Sequence, residues 1–425
     1  MGSGFNFFTS RIDKTPATAG SWQDVNVSGD GVPEGATGVV LELYNSSTTA
    51  YKIDVRKKGS TDDEYDSQQL NNYISMVTVI VGIDSNRKFQ AKIENTSLKI
   101  YLIGYCDSAI TFFDNKIDKS TGTTGQWVDV DLSANIPADA TGAITRFVMR
   151  ASGADVAMAV RRGESGDNFV KEVFGYNCKG FIYCLCGVDA NRKIQQYIGS
   201  TNADLYLVGY TKAPVTFHQN AQDVSLTTID AWTDDDVTSQ TASDADGAII
   251  EVVNVATGTG VEWFDTRPNG TTWGYTGECK RQGHAYALVK LDPNQIFEGY
   301  IDTTDVDFKL IGYCKPAGGI LKEVTDSASL SESILRNKTL TIADSMDLGD
   351  LILGDKQFSI SDAIGVSELI TVITEIVKQV TDSLTVSDAV GLNKTLVLAD
   401  QVQLTENIYL SKILVVSDQI ALVEI

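Results

Sequence analysis

The chain has 425 residues, a formal net charge of −22 and 43% apolar residues, which is too long for one ordinary domain and apolar enough to fill several cores. A field of that sign argues against nucleic acid as a partner, because phosphate binding needs a basic patch. No early segment joins basic, apolar and small-residue regions as an export signal would, and no apolar run reaches bilayer length, so membrane insertion is not expected.

Along the chain, the first signal is an internal triplication. Trp22 in SWQDVNV, Trp127 in QWVDVDL and Trp232 in AWTDDDV lie 105 residues apart both times. The copies close on IYLIGY, LYLVGY and FKLIGY, ending at Tyr105, Tyr210 and Tyr313. About twenty residues earlier each carries a turn, GIDSNRKF at Asp84–Asn86, GVDANRKI at Asp189–Asn191 and KLDPNQIF at Asp292–Asn294. Apolar and aromatic residues alternate with polar ones over short runs, punctuated by Gly, Asn, Asp or Pro. In the first copy a strand through Val77–Ile83 turns at Asp84–Asn86, runs out again and turns at Asn95–Thr96 into the last strand.

The fold class is therefore all-β, with three tandem jelly-roll-like β-sandwiches at 1–106, 107–211 and 212–316 and a fibrous β-repeat shaft at 317–425. The copies follow one another almost without linker, since CDSAITFF and TKAPVTFH already begin the next first strand. Neighbouring domains should sit at a nearly fixed angle. Pro316 and Gly318–Gly319 mark the one flexible joint. The recurring tryptophans read as core residues, and the six cysteines, none in a C-x-x-C pair, as buried thiols.

Beyond that joint a shorter period takes over. Asp326, Asp344, Asp362, Asp382, Asp400 and Asp418 each open D-x-h-x-h-x-[D/E], where h is apolar, at spacings of 18, 18, 20, 18 and 18. Glu332, Asp350, Glu368, Asp388, Glu406 and Glu424 close it. Alternation at period two makes the units β rather than helical. One segment, SELITVITEIVKQV at Ser367–Val380, spaces Leu369, Ile373, Ile376 and Val380 as a short helix or enlarged turn would. A single unit cannot cover its own apolar face, so the units build either a solenoid in one chain or, as the favoured reading, an intertwined shaft of three chains. The acids read first as residues at strand ends accepting turn hydrogen bonds, and second as oxygen ligands for a cation.

The inventory for chemistry is thin. His218 and His284 are the only histidines, neither sits in a metal-protease motif, and no phosphate-binding glycine loop occurs. A non-enzyme without catalytic residues, metal or cofactor is expected. One loop recurs, as VRKKGSTDDEY at Val55–Tyr65, VRRGESGDNF at Val160–Phe169 and TRPNGTTWGY at Thr266–Tyr275. Arg beside hydroxyls and an aromatic can hold a sugar, and Arg267, Trp273 and Tyr275 of the third copy are the candidate glycan-binding residues. The bland alternative is a hairpin with a left-handed Gly, a solvated Arg and an inward aromatic.

W-x-D-V, the P-x-G-A-T-G of VPEGATGVV at Val32–Val40, V-R-K-K-G-S-T and the closing Y-L-I-G-Y stand in fixed order. Together they resemble a β-domain repeated in bacteriophage tail and fibre proteins, over roughly residues 3–315. The third copy departs, with SDADG at Ser243–Gly247 where the others have a Pro-containing version. The tail's D-S-L-[ST]-[LV]-S-D units look like repeats of viral fibres and of archaeal surface proteins. The resemblance implies a virion structural protein without catalysis; with the shaft and the recurring loop, the expectation is a homo-oligomer, a trimer foremost, with other virion proteins and a host surface glycan as partners. A secreted cell-surface adhesin or extracellular filament subunit is the alternative.

Overall fold

In the first copy eight strands follow one another: β1 (Phe5–Asp13), β2 (Gln23–Asn26), β3 (Gly38–Asn45), β4 (Tyr51–Lys57), β5 (Gln69–Leu70), β6 (Ser75–Gly82), β7 (Lys88–Ile93) and β8 (Leu98–Cys106). They form two four-stranded sheets, in the orders β1-β8-β3-β6 and β2-β7-β4-β5, with every pairing antiparallel. That is jelly-roll order. The second copy repeats it with β9 (Ile110–Asp118), β10 (Trp127–Asp131), β11 (Ala140–Met149), β12 (Val156–Arg162), β13 (Lys171–Val173), β14 (Phe181–Gly187), β15 (Lys193–Ile198) and β16 (Ala203–Lys212). The third does so with β17 (Thr216–Asp223), β18 (Thr233–Asp236), β19 (Gly247–Asn254), β20 (Val261–Pro268), β21 (Gly277–Lys280), β22 (His284–Lys290), β23 (Ile296–Ile301) and β24 (Val306–Cys314). This computed structural model describes residues 4–315 apart from 66–68, 71–74, 151–155, 170, 174–180, 258–260, 273–276 and 281–282; beyond 315 it describes the strands alone.

The turns form where the sequence places them. Asp84 Oδ1 accepts the backbone N–H of Asn86 at 2.9 Å and of Lys88 at 2.8 Å, and Asn95 Oδ1 accepts that of Ser97 at 2.9 Å. The left-handed residue of the first turn is the one after Asn86, Arg87 with φ 58°, and Arg192 and Gln295 repeat it at 60° and 61°.

Burial separates the two sheets. On β7, β15 and β23 every second residue is buried, so their sheet has one wet face. β3 (GVVLELYN) and β19 (GAIIEVVN) are buried along their whole length, so the sheet that holds each is covered on both faces. One face is the sandwich's own core, where Val39, Leu41 and Leu43 lie in the first copy. The other joins a central cluster drawn from all three copies: Phe5, Val40 and Ile80, then Ile110, Phe112 and Ile144, then Val215, Phe217 and Ile249.

The sandwiches thus close into a ring with threefold pseudo-equivalence. Phe112 of the second copy covers Gly38 and Gly82 of the first, Phe217 of the third covers Gly142 and Gly187 of the second, and Phe7 of the first covers Gly247 of the third. A Cβ at Gly82, Gly187 or Gly247 would lie 2.7, 2.6 or 2.6 Å from the facing Phe, so these sockets admit only glycine. Each contact is head-to-tail, and three such contacts close.

Residues 318–425 form a separate unit. Its strands pair in parallel in two sheets. Three-residue strands such as Leu340–Ile342, Phe358–Ile360, Lys378–Val380 and Leu396–Leu398 belong to one sheet. The other holds Ala328–Leu335, Met346–Leu353, Ala363–Thr371 and Ser383–Gly391. Each strand lies beside the one a repeat further on, as Leu348 does by Val366 and Val366 by Val386. This corrects the favoured reading of an intertwined ladder: a unit that gives one strand to each sheet satisfies its backbone on its own neighbours in the chain.

Of the helix-like segment, the parts in Ala363–Thr371 and Lys378–Val380 are strands rather than helix; the enlarged turn would fall on 372–377, which carry the two extra residues and lie outside the described residues. So do all six opening acids, and Glu406 and Glu424. Glu332, Asp350, Glu368 and Asp388 fall inside the long strands, side by side in register, rather than at strand ends.

Candidate functional site

The recurring Arg loop does not present a free guanidinium. Arg56, Arg161 and Arg267 lie over Trp22, Trp127 and Trp232, with 4.0, 4.1 and 3.9 Å from guanidinium carbon to ring centroid. Their Nε atoms donate to Gln90 at 2.9 Å and Gln195 at 2.8 Å, and in the third copy to Glu298 at 2.7 Å. The tryptophans are half-buried, not core residues. The reason is parity: on β10, Trp127 shares its side with exposed Asp129, while Val130 points inward. Arg267 is therefore clamped between Glu298 and Trp232, and Trp273 and Tyr275 lie outside the described residues.

What the loop does in two copies is dock on the next one. Asn115 Oδ1 on β9 accepts the backbone N–H of Thr61 at 2.8 Å, and Asp62 Oδ2 accepts that of Lys116 at 2.8 Å. One copy on, Asn220 Oδ1 takes Gly166 N–H and Asp167 Oδ2 takes Ala221 N–H, both at 2.8 Å. In the third copy the position of Asp62 is Trp273, and that of Asn115 in the first copy is Ser10. The third copy's loop therefore carries no counterpart of the docking Asp, and β1 none of the docking Asn.

The three seams of the ring also differ in charge. Equivalent positions on β3, β11 and β19 hold Glu42, Arg146 and Glu251, and equivalent positions on β4, β12 and β20 hold Asp54, Ala159 and Asp265. Between the first and second copies the pair is complementary: buried Arg146 lies 3.3 Å from buried Asp54. Arg150 adds a two-pronged contact to Glu64, at 2.9 and 3.1 Å, and Lys116 also reaches Glu64. Between the second and third, Glu251 pairs within its own copy with His284 Nδ1 at 3.2 Å, and the facing position is Ala159.

Between the third and first, both positions are acids. Glu42 lies 3.1 Å from Arg11 of its own copy. Burial pushes its carboxyl up to about 7 against the pull of Arg11. Burial, and then the charge of Glu42, push Asp265 well above the carboxylate range. Sequence reasoning missed these residues, although an acid inside a run such as VVLELY carries the signal.

A further departure marks the third copy. Where the first two bury Val25 and Val130, it has Asp235, raised to about 7 by burial and by Asp236. Its Oδ2 has no partner among the described residues, and it lines an open cleft with Asp223, Asp236, Gln240 and Thr304. The two histidines are placed in the ring: His284 is buried beside Glu251, and His218 lies against Tyr313, with ring centroids 5.8 Å apart. Cys106, Cys184, Cys186, Cys279 and Cys314 are buried and unbridged, and Cys178 lies outside the described residues.

No protein-family model and no curated protein matches the chain. Among solved structures it is similar to one described as the atomic structure of Sulfolobus turreted icosahedral virus, at 10% identity and TM-score 0.20, covering 74% of this chain and 91% of that one. A second, described as the triple jelly roll fold and turret assembly in an archaeal virus, gives 10%, 0.19, 74% and 91%. A third, the lipid-containing bacteriophage PM2, gives 11%, 0.12, 72% and 95%. At such scores the assignment of the fold rests on the chain's own strand order.

Proposed function

We propose that this chain is a structural protein of a virion, in which a fused ring of three jelly rolls is a rigid building block and the repeat tail a fibrous shaft. The observation that carries the reading is the closed ring. Three copies of a fold common in capsids and lectins bury their inner sheets on one shared centre, and each glycine socket is filled by the next copy's Phe. Such an arrangement fixes geometry rather than creating a pocket. The resemblance of the ordered sequence motifs to a β-domain of phage tail and fibre proteins supports a virion role. A structural role is also favoured by the use of both histidines in contacts inside the ring.

Assembly with further copies and with other virion proteins then uses surfaces other than these seams. Host glycan binding at Arg267, Trp273 and Tyr275 is a subsidiary part of the proposal, in which Arg267 uses the guanidinium nitrogens other than the Nε that Glu298 holds; it is favoured by a third-copy sequence that lacks the docking Asp and Asn of the first two. The test is immunogold electron microscopy with antibodies to the jelly-roll ring, on particles and cells from infected cultures of the source. Label on particles is expected. Label confined to the cell envelope would replace the virion reading with the adhesin one.

A further inference from the structure

Two of the three seams are crossed by chain. β8 runs into β9 through residues 107–109, and β16 into β17 through 213–215. No connection of this kind crosses the seam between the third and first copies, because β1 and β24 are the outermost strands of the three-copy unit. The ring can part there while both linkers stay in place. In sequence, the third copy has Trp273 where the other two have the docking aspartate, and the first copy has Ser10 where the other two have asparagine.

Its interior is built differently as well. Glu42 is 4% exposed and Asp265 1%, and they are the like-charged counterparts of the complementary Arg146 and Asp54. The groups around Glu42 are Arg11 on β1, Thr78 on β6 and Tyr101 on β8 as register neighbours, and Asp265 on β20. Around Asp265 stand Glu42, Arg11, Arg267 and, in register on β23, Tyr300. Asp265 Oδ2 has no partner among the described residues. Arg11 is engaged by Glu42 and Arg267 by Glu298, so ionising both acids leaves Asp265 without an arginine of its own.

We infer that the seam between the third and first jelly rolls is a pH-dependent joint, closed in acid and loosened in alkali, with Glu42 and Asp265 as its paired sensors. The direction follows from linkage. The closed seam holds protons more tightly than the open one, because burial pushes the Glu42 carboxyl up to about 7 and opening returns the group toward water. Closure is therefore favoured below the ordinary carboxylate range and weakens as pH rises through about 7. The other two seams lack the facing acids and should not respond in this way.

Two native thiols report on the joint. Cys314 Sγ lies 3.9 Å from Phe5 O, at the closing seam. Cys106 is its counterpart at the end of β8 in the first copy, and both are buried. Alkylation of the full chain, read by mass spectrometry as the ratio of Cys314 to Cys106, cancels most of the intrinsic pH dependence of thiol chemistry. The ratio should rise on the order of tenfold between pH 5.5 and 8, and the rise should vanish in Glu42→Gln/Asp265→Asn. A flat ratio in the parent chain, or an undiminished rise in the double variant, overturns the inference.

Asp246, 3.6 Å from the Cys314 sulfur, and Asp107 also face the reporter. Asp246→Asn should keep the rise; its loss there, with retention in the double variant, would assign the effect to the neighbour and overturn the joint. If the double variant loses the ring, seen as fast alkylation of Cys106 as well, Asp265→Asn alone decides: a smaller rise supports the joint and an unchanged one refutes it.

Discussion

Phe217→Ala is the sharpest perturbation of the ring. Phe217 comes from β17 of the third copy, is 8% exposed, and lies over Gly142 and Gly187 of the second. Removing a buried Phe costs about 3–5 kcal/mol, made up of lost transfer energy and a residual cavity. Here the cavity term should lie at the upper end, because the two residues beneath the ring are glycines and have no side chains to move into the space. The loss should fall on the seam and leave the sandwich cores intact, since Phe217 belongs to the central cluster and not to the core of its own copy. Urea unfolding of the full chain, followed by hydrogen exchange resolved along the sequence, reads both quantities. Exchange should accelerate first on β14 and β17, at lower urea than on β7 or β15. A loss below about 1 kcal/mol, or exchange that rises equally in all strands, would refute a ring held by these sockets.

Arg146→Met should cost about 3–5 kcal/mol, because it leaves buried Asp54 without the guanidinium 3.3 Å away; thermal melts of the full chain check it. Trp127→Ala, at a half-exposed clamp with Arg161, should cost no more than about 1 kcal/mol in the same assay, against the larger loss a core tryptophan would give. Asp235→Val restores the residue type of the other two copies. Because burial raises Asp235 to about 7, the native state loses stability as pH rises from the ordinary carboxylate range to that value, so the variant should gain about 1–3 kcal/mol at pH 8 and less at pH 5. In the tail, Glu332, Asp350, Glu368 and Asp388 occupy neighbouring register positions on strands about 4.8 Å apart, so the protection of those strands, corrected for the intrinsic pH dependence of exchange, should rise on acidification and with added salt.

Much of the architecture was legible in sequence because it rests on local chemistry. Asp84 and Asn95 accept the turn hydrogen bonds their positions suggest, and the repeated Tyr-ending strands became the equivalent strands of three sandwiches. The ring was not legible. A strand buried on both faces, such as GVVLELYN, reads the same whether its second face meets another domain or another chain, and Gly38 looks like a turn residue until Phe112 lies on it. The tryptophans misled for a related reason: large aromatics are usually inside, but an arginine two strands away in the same sheet can cover one at the surface. In the tail the period was visible, but an 18-residue spacing does not say whether a strand's neighbour is its own chain or another. The loop residues chosen for sugar binding were chosen on composition, and composition does not reveal that the equivalent loops dock on the next copy.

The central claim is that one chain closes three jelly rolls into a ring. Single-particle cryo-electron microscopy of the purified full chain at pH 6 tests it most directly. The account predicts three lobes around one axis, with the first and third in contact through Phe7 and Gly247. Three lobes in an open row, with the first and third apart, would contradict it.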